Sequence, residues 1–403
     1  MLRLALRNIL RQKFRTAMTL AVVVFGVVGL ILSGGFVADM LVQLGETIIR
    51  SQSGHLQVLK AGYFAKGGRS PDQYLIDSPD ALRQTISRLP EVDDVMLRMN
   101  FSGLINNGRS DWPIIGEGVE PDREARLGTH LRITAGRQLA STDVNGILLG
   151  DGVAQMLKLK PGDTATLLLN TSEGALNTLE FQVVGIFQSF SKDFDARAVR
   201  IPLAAAQELV GNPKANSVVV SLKTTDDTQS VAAALRSRLA GQDLEVKTWQ
   251  ELNDFYSSTA ALYERQFGVL QAIILVMVLL SVGNSVNMSV FERVGEFGTM
   301  MALGNNGLSI FKLVVTENLL LGTVGAFLGI TVGTVLALAI SAIGIPMPPP
   351  PNANIGYTAM IRVVPSVLAI AFAVGMLATV AAAIFPASRV ARTPVADALR
   401  QNH

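Results

Sequence analysis

Four long stretches of the chain carry no charged side chain. Residues 16–38, 266–291, 318–361 and 363–388 contain no Asp, Glu, Lys or Arg, and runs such as AMTLAVVVFGVVGLILSGGFVA and VLAIAFAVGMLATVAAAIF are apolar almost throughout. About 20 apolar residues cross the hydrocarbon core of a bilayer as a helix. The pattern therefore predicts four membrane helices, at 16–38, 267–290, 319–343 and 365–388. The third stretch is too long for one span. Its end, the run PMPPPP at Pro346–Pro351, predicts a stiff extended loop over 344–364. The first stretch follows a basic segment, as a signal peptide does. It is longer than a signal h-region and no small-residue cleavage site follows it, so it reads as an uncleaved anchor.

Between the first two spans the pattern changes to that of a soluble domain, 39–266. GHLQVLK (Gly54–Lys60), EVDDVMLRMNFSGLI (Glu91–Ile105), NSVVVSL (Asn216–Leu222) and LEVKTW (Leu244–Trp249) read as strands. DSPDALRQTISRLP, with Ser78 as the helix cap, and DTQSVAAALRSRLA read as helices. These form two β-α-β units, at about 52–110 and 204–250, around a β-rich insert at 111–203 with a short helix at Gly152–Leu157. Asp39–Ser51 and Glu251–Gln266 read as helical stalks that continue the first two spans. The fold class is thus a membrane α-helical protein, four spans with a large α+β extracytoplasmic domain inserted between helices 1 and 2.

Charge orients this plan. The first 15 residues hold Arg3, Arg7, Arg11, Lys13 and Arg15 and no acid, and the tail after the fourth span is basic as well. Lys and Arg in short flanks mark the cytoplasmic side, so both termini and the 291–318 loop are expected inside. The inserted segment, 39–265, holds 23 Lys and Arg against 28 Asp and Glu. Arg3, Arg7, Arg11 and Arg15 lie on one stripe beside Leu2, Leu6, Leu10 and Phe14. This is an amphipathic helix suited to an anionic membrane surface, and it is also placed to brace a cytoplasmic partner.

The chain has no cysteine and three histidines far apart, which leaves no thiolate or His-cluster metal site and no cofactor motif. AKGGRS (Ala65–Ser70) lacks the spacing and the lysine of a phosphate-binding loop. No catalytic set is apparent, and the chain is expected to be non-catalytic with no nucleic-acid partner. The loop ERVGEFGTMMALGNNGLSIFKLVVTEN (Glu292–Asn318) is longer than a bare connection requires. It reads as a short helix stopped by Gly304, a docking knob for a cytoplasmic partner. Ser281, Asn284, Ser285, Asn287 and Ser289 cluster at the inner end of the second span, and glycines at 322, 325, 329 and 333 mark a close helix–helix contact in the third.

Several segments in this order resemble the FtsX-like permeases of ABC transporters, the group of the lipoprotein-release and macrolide-exporter permeases. They are LALRNILRQKFRTAMTLAVVVFGV at the start, IPLAAAQELVG at the end of the insert, FERVGEFGTMMALGNNGLSIFKLVVTENLLLGTVGAFLG after the second span, and VAAAIFPASRVARTPVADALR at the end. SGHLQVLKAGY and the proline loop lean towards the lipoprotein-release branch. Phe297 stands where Ile is usual and Met301 where a basic residue is common, so the knob is less charged than the family pattern.

The resemblance implies the permease subunit of a mechanotransmission transporter in a bacterial inner membrane. A cytoplasmic ABC ATPase dimer, holding ATP and Mg, would dock on Glu292, Arg293, Glu296, Phe297, Gly298, Met301, Ala302, Leu303 and Gly304. A second permease chain, identical or related, membrane lipid and a periplasmic acceptor protein are the other implied partners. Lipoprotein, lipid or another amphiphile would enter from the outer leaflet near Gly34, Phe36 and Met40. Two alternatives share the fold: efflux of a small molecule or peptide, and transmembrane signalling to a periplasmic hydrolase. A self-sufficient receptor would need no ATPase.

Overall fold

The computed structural model describes residues 5, 7–8, 11–66, 71–128, 131–171, 173–349 and 356–395. The chain divides into two compact units, one of Met1–Leu41, Thr259–Pro346 and Thr358–His403, the other of Val42–Ser258 and Met347–Tyr357.

The first unit is helical. Among the described residues four helices are long and apolar enough to cross a membrane. They are α1 (Lys13–Ile48), α7 (Asp254–Glu292), α9 (Gly307–Ile343) and α10 (Pro365–Ala391), with the short α8 (Val294–Ala302) between α7 and α9. Each long helix runs past its apolar stretch, because polar flanks remain good helix formers once the span has nucleated them. The predicted stalk Asp39–Ser51 is helical to Ile48 and then widens into a π-helical turn, Ile49–Ser53. The second stalk begins at Asp254, three residues later than predicted.

The glycine row of α9 does what its spacing suggests. A Cβ at Gly329 would lie 2.7 Å from Val27 Cβ, and Gly325 and Gly333 face Val23 and Ile31 in the same way. The valine ridge of α1 therefore sits in a glycine groove, the close approach that small residues permit where lipid offers no hydrophobic drive. Gly322 faces Thr379 of α10 instead. On α7 the inward stripe is Val278, Val282, Val286 and Val290. At the other end of α1, buried Asp39 accepts from the Met360 amide at 2.9 Å and lies 3.6 Å from Arg362. The Pro346–Pro351 run is described only in part. Pro346 and Met347 are in a short strand rather than a polyproline helix, and Pro350 and Pro351 lie outside the described residues.

The second unit is built on one ten-stranded sheet, its strands numbered in chain order and lying in the order β10-β1-β9-β2-β3-β8-β5-β7-β4, with β4 (Arg132–Gly136) at one edge and β6 pairing both β2 and β7. Its first half follows the two predicted β-α-β units. β1 (Leu56–Lys60) lies between β9 (Ser217–Leu222) and β10 (Leu244–Thr248), and β2 (Val92–Asn106) borders β9. Helices α2 (Pro79–Ile86) and α6 (Thr228–Arg238) bury Leu82, Ile86, Val231 and Leu235 against this half. Ser78 precedes α2, but its side chain makes no capping bond there. Pro79, the first helical residue, has no N–H to satisfy and a φ already suited to a helix start.

The expected division at residue 111 falls between β2 and β3, and the insert's strands pair on to β2 in one continuous sheet. β2 is 15 residues long. Its first part pairs with β9, and its last three residues pair with β6 (Thr164–Asn170). From β2 the pairing runs through β3 (Asp111–Val119), β8 (Ala198–Pro202), β5 (Gly146–Gly150), β7 (Leu176–Gln188) and β6 back to β2. Six strands thus close into a barrel, which leaves those strands no free edge. Met99, Phe101, Ile147, Leu167, Phe181 and Val199 belong to its core cluster. The insert's helix starts one residue earlier than predicted, at Asp151.

Candidate functional site

The connection from α7 to α9 is a short helix stopped sharply at both ends. At the end of α8 the Gly304 amide bonds the Met301 carbonyl and the Asn305 amide bonds the Met300 carbonyl. This is a Schellman stop, with Gly304 at φ +97°. Asn306 then caps α9 by accepting the Ser309 amide at 2.9 Å. Gly307 tolerates no side chain, since a Cβ there would lie 2.2 Å from the Ala391 carbonyl oxygen of α10.

The charged residues of this segment are all paired, and one of them, Arg293, is buried. Arg293 is buried and grips Glu317 of α9 with two bonds of 2.8 and 3.2 Å, while its Nε donates to Glu296 at 3.2 Å. Its guanidinium lies 4.9 Å from the ring centre of fully buried Phe297. Asn8 adds a 2.6 Å bond to Glu317. Arg15 pairs with Glu292 at 2.5 Å and Arg11 with Glu296 at 3.2 Å. So two of the four arginines assigned to the membrane surface brace the connecting segment. Arg7 is exposed, and Arg3 lies outside the described residues.

The nine residues expected to form one docking surface therefore divide. Arg293, Phe297 and Gly298 are buried and form its support, and Met301 is half-buried. Glu292 and Glu296 are exposed but engaged by arginines. Ala302, Leu303 and Gly304 are the free tip, with Leu303 81% exposed. Sequence reasoning missed Asn305, Asn306 and Leu308 on the same tip, Leu308 being exposed as well. It also missed Glu317, although a lone carboxylate at the head of an apolar span is a warning that a partner exists.

The proposed access residues do not share a surface. Gly34 is buried where a Cβ would lie 2.7 Å from both Phe267 and Val367, and Met40 is buried. Phe36 is half-buried. The polar cluster of α7 is split too. Ser285 bonds Thr19 at 2.7 Å and Ser289 bonds Gln12 at 3.1 Å, whereas Ser281 and Asn284 face outward.

In the sheet unit the notable titratable group is His55, buried beside β1. Its Nδ1 accepts the Leu222 amide at 3.1 Å, so the proton sits on Nε2, which donates to Thr225 at 3.1 Å. Thr225 in turn donates to Glu46. Burial pushes this imidazole down to about 4; the Glu46 carboxylate opposes the shift, Arg50 adds to it and Asp93 opposes it. Between the ordinary value of 6.5 and about 4, the unfolded chain takes up a proton that the folded unit refuses. The stability from neutral His55 is therefore complete above about pH 6.5 and lost as pH falls through that window. Thermal melts of the full chain in detergent should show this slope, and His55→Gln should flatten it.

A family model described as the MacB-like periplasmic core domain matches residues 16–238, and one described as the FtsX-like permease C-terminal matches residues 268–395. The chain belongs to the FtsX-like family of ABC transporter permeases. Its relatives include an ABC transporter permease of Methanocaldococcus jannaschii, described as uncharacterized, 24% identical over 84% of each chain. The lipoprotein-releasing system transmembrane protein LolE of Haemophilus influenzae is 24% identical over 67% of this chain and 69% of its own. The macrolide export ATP-binding/permease protein MacB of Hyphomonas neptunium is 23% identical over 93% of this chain and 56% of its own. The solved periplasmic region of MacB from Actinobacillus actinomycetemcomitans aligns with a TM-score of 0.37 at 15% identity, over 53% of this chain and 95% of that one. This FtsX-like permease is thus a membrane protein of LolC/LolE or MacB type with a periplasmic domain.

Proposed function

We propose that this permease is the non-catalytic membrane subunit of a mechanotransmission ABC transporter, driven by a separate cytoplasmic ATP-binding dimer that holds ATP and Mg. The observation that carries the reading is the tip Ala302–Gly304 with Leu308. It presents two exposed leucines, Leu303 at the end of α8 and Leu308 in the first turn of α9, on a segment held from behind by Arg293, Glu317, Arg11 and Arg15. An exposed apolar tip on a braced support is what a partner's cleft can grip. The MacB relative, named as an ATP-binding/permease protein, is matched over about half its length, which suits a chain supplying the permease part. The basic flanks favour an inner-membrane protein with both termini cytoplasmic, and the sheet unit, inserted between the first two spans, periplasmic.

A second permease chain, identical or related, completes the assembly. The most apolar window of α7 is only 17% buried within this chain, against 39% for that of α1. Its outward face bears Ser281 and Asn284 among Met277, Leu280 and Met288. Polar side chains at membrane depth are expensive against lipid and usually meet another helix. The cargo we infer is an amphiphile, lipoprotein or lipid, taken from the outer leaflet, with Phe36 as the remaining access residue and a periplasmic acceptor receiving it. Two relatives named for lipoprotein release support this reading, and the relative named for macrolide export supports the alternative, efflux of a small molecule.

Gentle extraction of the tagged chain from its native membrane, followed by mass spectrometry, tests the reading. An ATP-binding protein should be recovered in stoichiometric amount, with a bound acylated species identifying the cargo. Recovery of the chain without any ATP-binding protein, under conditions that preserve other membrane complexes, would overturn it.

A further inference from the structure

The outer end of α1 meets a heavily charged interior. Four ionised side chains are buried together: Arg98 on β2, Glu117 on β3, Arg200 on β8 and Glu124 on α3 (Pro121–Leu127), each no more than 7% exposed. Arg98 holds Glu124 through Nε at 3.1 Å and through Nη2, and Arg200 Nε holds Glu117 at 2.7 Å. Arg200 Nη1 lies 3.5 Å from Glu124 and the Arg200 guanidinium 5.5 Å from the Phe187 ring centre. The set is neutral in sum, as burial demands.

Its remaining donors do something apolar residues cannot. Arg98 Nη1 donates to the Gln52 carbonyl and Arg200 Nη2 to the Ser51 carbonyl at 3.1 Å. These carbonyls belong to the wide turn Ile49–Ser53 in which α1 ends. A helix end leaves such carbonyls without intrahelical partners, and its partial negative charge favours cations there. Arg98 also stands where β2 passes from one half of the sheet to the other, opposite Ser217 of β9 and Val119 of β3. One turn back, Glu46 takes the Thr225 bond, and Gly45 packs against Trp249, where a Cβ would lie 2.6 Å from the ring.

We propose that Arg98 and Arg200 are positioning residues, forming with Glu117 and Glu124 a joint that locks the outer end of α1 to both halves of the sheet. A buried ion-pair set rarely adds more stability than apolar packing of the same volume. Its return here is directional: two fork-shaped guanidinium groups fix the axis of the helix end against the strands. The last turns of α1 and the barrel then move as one body. The use of that joint, to deliver movement of α1 to the periplasmic unit, rests on the permease reading; the joint itself does not.

The test uses the absence of native cysteine. Spin labels at Val42→Cys on α1 and Val144→Cys on the barrel occupy exposed positions and report the helix-to-sheet distance in the full chain. The wild-type background should give one narrow distribution. Arg98→Met with Arg200→Met should at least double its width while the far-ultraviolet circular dichroism is kept. Arg200→Lys, which keeps the charge but not the fork, should widen it less and serves if the double variant does not fold. An equally narrow distribution in Arg200→Lys and in the double variant, or a broad one in the wild type, would overturn the joint. In the complex with its ATP-binding partner, a label at Val144→Cys on each of two paired chains should shift on ATP addition. The joint variants should lose that shift while ATP hydrolysis stays within twofold. A wild type that never shifts would count against the permease reading and leave the Val42–Val144 width to decide the joint; variants that shift as fully as the wild type would overturn its role in transmission.

Discussion

Arg293→Met is expected to cost the helical unit about 3–5 kcal/mol, because it leaves the buried Glu317 carboxylate without its cation. Asn8 would remain as the only neutral donor to that carboxylate among the described contacts. The carboxylate would have to protonate or pull water into the bundle, and either route loosens the packing of α8 against α9. Arg293→Met combined with Glu317→Leu removes both charges and should recover most of the loss, since an apolar pair of similar volume costs little at such a site. Denaturant titration of the detergent-solubilised chain, followed by helical circular dichroism, separates the two variants. Equal destabilisation by the single and double variants would mean that side-chain packing around Phe297, rather than the ion pair, holds the segment.

The readable and unreadable parts of this protein differ in the range of the interaction that decides them. The four spans are local facts, since a run of some 20 uncharged residues has one compatible solvent. The Gly325–Gly329–Gly333 groove was legible as spacing, and Gly304 as a helix stop, because both depend on backbone within a turn or two. The barrel was not legible. Its closure depends on three residue pairs between β2 and β6, some sixty residues apart, and β2 is buried on both faces over much of its length, so no alternation marks where one half of the sheet ends. The ionised clusters were equally hidden. Arg98, Glu124 and Arg200 look like solvated charges one at a time, and only the fold brings them together. The same holds for Arg293 and Glu317, so the connecting segment was expected to present its charges outward. Leu308 lay within the expected connecting loop but outside the nine docking residues, because apolarity alone does not say which side of a helix start faces water.

Leu303→Asp is the second large effect. Leu303 is almost fully exposed in the single chain, so this substitution should move the stability of the permease by no more than about 0.5 kcal/mol. If the tip fills a cleft in an ATP-binding partner, the same change buries a carboxylate there. Central interface residues of this kind cost 2 kcal/mol or more on truncation, roughly thirtyfold in affinity, and an introduced charge costs more.

Affinity purification of the wild-type and Leu303→Asp chains from the same membranes, each assayed for ATP hydrolysis after transfer to lipid nanodiscs, decides whether the Leu303 tip seats an ATP-binding partner. The wild type should retain a stoichiometric ATP-binding protein and hydrolyse ATP, and Leu303→Asp should lose both while remaining folded and membrane-inserted. Full retention of partner and hydrolysis by Leu303→Asp would place the coupling surface elsewhere.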